Sequence, residues 1–177
     1  IAVAERPAVN QRGIVNYGSF TQIFAPNTLI SVFGRNLGQS GKAEDKKPLP
    51  TLMGGACMTL DFLGAAAAQL TNQVPRVVPL LMTSSGQFNG QLPPDLPVGN
   101  YSATIRAFDR KVATVQQTIR VDRYSPAVLV DSNGQVSIYH ADGRPVTKSN
   151  PAKRDEKLVM YAVGLGVPRG TTRLVTG

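Results

Sequence analysis

The chain has 177 residues, with 17 glycines, 13 prolines, one cysteine, one histidine and no tryptophan. Its length suits one or two domains of roughly 100–200 residues, and a hydrophobic content of 42 % supplies a packed core. The lone Cys57 excludes an intrachain disulfide and a cysteine-rich zinc or iron–sulfur site, and the lone His140 excludes a multi-histidine metal centre.

Neither a metal nor a cofactor is therefore expected. Nineteen Lys and Arg against eleven Asp and Glu give a net charge of +8, a balance that favours anionic partners. The bases are scattered, in groups such as Lys46–Lys47, Arg120/Arg123 and Lys153/Arg154/Lys157. None lies in an aromatic RNA-binding motif or a recognition helix, so no specific nucleic-acid partner is expected. The most apolar stretch, Leu63 to Leu70, is far shorter than the ~18 residues a membrane span needs. The first residues, Ile1 to Pro7, lack an initiator Met and a basic segment, and read as a processed start from which a signal peptide has been removed.

In chain order, Thr28 to Phe33 reads as a strand closed by Gly34 and the turn Asn36-Leu37-Gly38. Residues 39–50 read as a polar loop, and Ala56 to Phe62 as a second strand in which Cys57 is a small packing residue. The alanines between Gly64 and Leu70 would permit one helical turn. Val77 to Met82 continues the strand pattern before the turn Ser84-Ser85-Gly86. Leu92 to Asn100 carries too many prolines for a ladder and reads as an extended connector at the sandwich edge.

The clearest hairpin spans Tyr101 to Val121. Tyr101, Ala103, Ile105 and Ala107 alternate with Ser102, Thr104, Arg106 and Phe108; Asp109-Arg110-Lys111 makes the turn; Ile119 and Val121 alternate with Thr118 and Arg120. Period two with one polar face is the pattern of a half-buried antiparallel sheet. Beyond Pro126, Asn133-Gly134 and Asp142-Gly143 mark two further hairpin turns.

The chain also repeats itself. Ile30-Ser31-Val32-Phe33-Gly34-Arg35-Asn36-Leu37-Gly38 aligns with Leu158-Val159-Met160-Tyr161-Ala162-Val163-Gly164-Leu165-Gly166, each a strand closing on Leu-Gly. The expectation is an all-β, immunoglobulin-like β-sandwich over residues 1–123, followed by a second, partial β unit over 124–177, too short for a complete seven-strand sandwich.

Gly13-Ile14-Val15-Asn16-Tyr17-Gly18-Ser19-Phe20 followed by Ala25 to Leu37, together with Leu49 to Gly55, Ser84 to Pro93, Leu96 to Gly99, Asn150-Pro151-Ala152 and Tyr161 to Gly166, resembles the Solibacter C-terminal domain family of acidobacteria. The resemblance covers about residues 13 to 168. It implies an immunoglobulin-like unit of the IPT/TIG type at the end of large exported proteins, with no catalytic residues. Asp155 stands where the family has Gly, and Cys57 and Met58 replace smaller β-formers.

The residues offer little chemistry. His140 lies beside an Asp-Gly turn with no Gly-x-Ser-x-Gly nucleophile, and the aspartates fall at strand ends and turns, where they bond their own backbone. No catalytic residue is expected. The primary expectation is a non-enzymatic, extracytoplasmic module, secreted or at the cell surface, for adhesion, assembly or display, with a protein partner or self-association across open strand edges. The alternative is an accessory module binding carbohydrate, such as acidic polysaccharide, or another anionic polymer through Arg106, Phe108, Arg110, Lys111 and Arg120 on one basic hairpin face.

Overall fold

The computed structural model describes residues 6–44, 47–64, 75–107, 112–113, 116–131 and 133–167. Among these the protein has strands and no helix. The strands are β1 (Ala8–Asn16), β2 (Ile23–Phe24), β3 (Leu29–Arg35), β4 (Gly41–Lys42) and β5 (Ala56–Phe62). Next come β6 (Arg76–Val77), β7 (Leu80–Thr83), β8 (Gln87–Gln91), β9 (Gly99–Ala107), β10 (Val112–Ala113) and β11 (Gln117–Val121). Last are β12 (Ala127–Val128), β13 (Ile138–His140), β14 (Leu158–Met160) and β15 (Ala162–Val163).

Two main sheets form an all-β sandwich. One has the order β1-β3-β8-β7-β4, and the other β2-β11-β9-β5-β6 with β10 also on β9. The expected hairpin is present, with Thr118 opposite Ser102 and Arg120 opposite Asn100. Strand β9 also pairs with all seven residues of β5, from Ala56 opposite Ala107 to Phe62 opposite Tyr101. The predicted turn 109–111 and residues 65–70 of the predicted helical turn lie outside the described residues. The polar loop of 39–50 contains β4, and Pro79 separates β6 from β7 within the apolar run 77–82.

The core lies between the inward faces: Ile14, Ile30, Val32, Leu80 and Phe88 from one sheet against Met58, Leu60, Tyr101, Ile105, Ile119 and Val121 from the other. Burying such side chains is the main stabilising term, about 1.5–3 kcal/mol each. The Pro-rich connector carries the chain from β8 to β9, but it is no mere rim: Leu92 and Leu96 are buried in this core. Tyr101 packs edge-on to Phe62 and donates its hydroxyl to the Pro97 carbonyl at 2.7 Å, so its one polar atom is satisfied inside.

From residue 124 the chain forms two small ladders, β12 with β15 and β13 with β14. A buried polar knot attaches them to the sandwich. Asn16, fully buried at the end of β1, donates through Nδ2 to the carbonyl and to Oγ of Ser125, both at 3.2 Å. Its Oδ1 accepts from the Gly18 amide at 2.9 Å. Ser125 in turn donates through Oγ to the Ile23 carbonyl at 2.7 Å and through its amide to the Gly164 carbonyl at 2.8 Å. Gly164 has φ +72, and a Cβ there would run into the Ser125 carbonyl, so this crossing requires glycine.

Candidate functional site

Of the five residues expected on a basic face, Phe108, Arg110 and Lys111 lie outside the described residues. Arg106 and Arg120 are both exposed and share the outward face of their sheet, because Arg120 stands opposite Asn100 and Arg106 is six residues further along β9. At about 3.3 Å per residue the two positions are roughly 20 Å apart. The strip between them is not the open polar surface that alternation suggested: Ser102 and Thr104 are buried, and among the described residues Ser102 Oγ and Thr59 Oγ1 have no hydrogen-bond partner. Arg120 is bonded through Nε to Asp122 Oδ1 at 2.9 Å. The two arginines thus stand as separate charges rather than one cluster.

Cys57 sits opposite Arg106 on this face. Burial pushes its thiol pKa up, against a smaller opposing pull from Arg106. Such a thiol stays protonated and behaves as packing, as its sequence context suggested.

His140 is buried at the end of β13, where sequence had placed only a turn-flanking residue. Its Nδ1 is 2.6 Å from Glu156 Oε1 and its Nε2 is 3.3 Å from the Asn150 carbonyl. Glu156 Oε2 also accepts from the Lys153 amide at 2.8 Å. Two acceptors around one ring favour the imidazolium, and the His140 pKa is raised chiefly by the bond to Glu156. The pair fastens loop 141–157 onto the β13–β14 ladder. With both ring nitrogens engaged, His140 has no nitrogen left to take a proton from a substrate.

Turn chemistry follows the expected pattern. Asp131 Oδ1 accepts from the Asn133 and Gln135 amides, with Gly134 at φ +75. Asp142 Oδ1 accepts from the Arg144 amide, with Gly143 at φ +85. These carboxylates are occupied by their own backbone, and the described residues contain no group of three His, Cys, Asp or Glu able to hold a metal ion.

The surface that sequence reasoning missed lies on and after β14. In the first copy of the internal repeat Ile30, Val32 and Leu37 are fully buried. Their counterparts at offset 128, Leu158, Met160 and Leu165, are 41 %, 54 % and 65 % exposed. At the turn Asn36 and Gly164 both have positive φ, but Gly166 has φ +77 where its counterpart Gly38 does not, and the second copy is divided between β14 and β15 where the first is the single strand β3. Tyr161 is also exposed, and its ring meets Tyr139 edge-on at 5.8 Å. Among the described strands, β14 pairs only with β13, leaving an apolar ribbon with an open side. The repeat was the signal that could have found it: a strand rich in apolar residues at both parities needs cover on both faces.

No described helix is long and apolar enough to cross a membrane. Comparison with protein-family models and with curated proteins finds no match.

Proposed function

We propose that this chain is a non-enzymatic, extracytoplasmic, immunoglobulin-like module for adhesion, assembly or surface display, working by burial of the β14 ribbon against a protein surface. One observation carries the reading. The repeat buries Ile30, Val32 and Leu37 in its first copy and exposes Leu158, Met160 and Leu165 in its second. Apolar side chains exposed together along one ribbon gain most by covering one another, which is how interfaces form. The immunoglobulin-like description is supported by the strand order. The seven longest strands of the sandwich fall as first-second-fifth-fourth and third-sixth-seventh (β1-β3-β8-β7 and β5-β9-β11), the arrangement of immunoglobulin constant-type domains. The extracytoplasmic placement rests on the resemblance to the Solibacter C-terminal domain family.

The test is the concentration dependence of mass in sedimentation equilibrium, together with binding of an apolar dye. The expected outcome is self-association and dye binding by the native chain, both reduced in Leu158→Lys/Met160→Lys and unchanged in Arg106→Ala/Arg120→Ala. A native chain that stays monomeric and binds dye no better than the ribbon variant overturns the reading.

A second reading is an accessory module for carbohydrate, with acidic polysaccharide or a similar anionic polymer as ligand, favoured by the shared outward face of Arg106 and Arg120. An extended polymer spans their separation where a small anion cannot. Binding should then weaken with salt and in Arg106→Ala/Arg120→Ala; equal binding by native and variant chains removes this reading.

A further inference from the structure

On the outward face of the first sheet, remote in sequence from the ribbon, the chain forms a cleft of about 620 Å³. That volume is within the range of small-molecule sites. Its floor is apolar and half-buried: Leu29 stands opposite Gln91 in the β3–β8 ladder, and Leu81 and Met82 belong to β7. Leu49, buried, closes one side. Beside the cleft, the Ala43 amide donates to the Leu81 carbonyl at 2.8 Å and the Leu80 amide donates to the Pro50 carbonyl at 2.7 Å. The floor of the cleft is therefore part of the sheet itself.

The solvent side carries the exposed side chains of Lys42, Lys47 and Glu44. Among the described residues, two cations, Lys42 and Lys47, and one anion, Glu44, thus stand over an apolar floor. We propose that this cleft binds a single-chain amphiphile with one carboxylate head, a free fatty-acid-like monoanion, with the alkyl chain on Leu29, Leu81 and Met82 and the head beside Lys42 and Lys47. Sugars fit poorly, because the apolar floor offers their hydroxyls few hydrogen-bond partners, and inorganic phosphate would meet the lysines but leave the apolar floor uncovered. A neutral alkyl chain would fill the floor and leave the lysines unmatched.

The experiment titrates the native chain with decanoate below its micelle concentration, following the Leu29, Leu81 and Met82 methyl resonances, with octanoate and decanol as comparators. The expected result is saturable shifts of those methyls and affinity rising about fourfold per methylene from octanoate to decanoate. Lys42→Ala/Lys47→Ala should weaken decanoate about threefold to tenfold while leaving decanol unchanged. Leu81→Asp should abolish binding of both, and the lysine variant, altered only on the surface, decides the case if Leu81→Asp fails to fold. Leu158→Lys/Met160→Lys should bind decanoate as the native chain does, which separates the cleft from the ribbon. Equal binding of decanol and decanoate, insensitivity to the lysine variant, or unshifted cleft methyls overturns the proposal.

Discussion

The C-terminal ladders are attached through the buried knot of Asn16 and Ser125, and Asn16→Ala tests it. The substitution removes two donations from Nδ2 to Ser125 and the acceptance from the Gly18 amide. A neutral hydrogen bond contributes about 0.5–1.5 kcal/mol net, and a buried group left without a partner costs about 1–3 kcal/mol. The Gly18 amide and the Ser125 carbonyl are the groups at risk, so the loss should be about 2–4 kcal/mol. With a urea m-value of about 2 kcal/mol/M, the midpoint followed by circular dichroism should fall by about 1–2 M. Ser125→Ala removes the same contact from the other side together with the bond to Ile23. The two changes should therefore be coupled by at least about 1 kcal/mol in a double-mutant cycle. Amide exchange of β12 and β15 should accelerate in both variants, since these strands lie against the knot. A loss below about 0.5 kcal/mol, or additivity of the two substitutions, would refute the reasoning.

Removing the hydroxyl in Tyr101→Phe strands the Pro97 carbonyl and should cost about 1–2 kcal/mol in urea unfolding. Burial pushes the Tyr101 pKa up to about 12; the folded state then holds its proton where the unfolded chain releases it, so stability should decline as pH rises from about 10 toward about 12, read by absorbance titration of tyrosinate. The raised His140 pKa gives stability that is full below the ordinary histidine value and lost as pH climbs through the raised one; the lowered Glu156 pKa, set first by the Lys153 amide, gives stability lost on acidification. Glu156→Gln should move the His140 ring resonance titration to lower pH, and an unchanged titration would show that the carboxylate does not hold the ring. Phe88→Ala, in the centre of the core, should cost about 3–5 kcal/mol by leaving a cavity between the sheets.

Local pattern carried much of the sandwich. The alternation from Tyr101 to Val121 predicted the hairpin, the β-rich runs predicted β3 and β5, and the Asn-Gly and Asp-Gly pairs marked real turns. Two long-range strands were hidden. Strand β8 presents only Phe88 and Gly90 inward between glutamine and asparagine, so its apolar signal is one residue wide. Strand β1 is broken by Arg12 at φ +57 and a register shift between Val9 and Ile14, which erases period two in sequence.

The functional surfaces divide in the same way. The sequence alone determined that the protein is rich in strands and turns and basic, and that one nine-residue strand motif occurs twice; these follow from nearest-neighbour sterics and side-chain alternation. Only the tertiary structure decided that Ile30, Val32 and Leu37 of the first copy are covered while Leu158, Met160 and Leu165 of the second are exposed, that Ser102 and Thr104 are buried between Arg106 and Arg120, and that Leu29, Lys42 and Met82 meet in one cleft. Those facts depend on which strands pair across long stretches of chain, and alternation within a strand fixes its two faces without saying what, if anything, will lie against either.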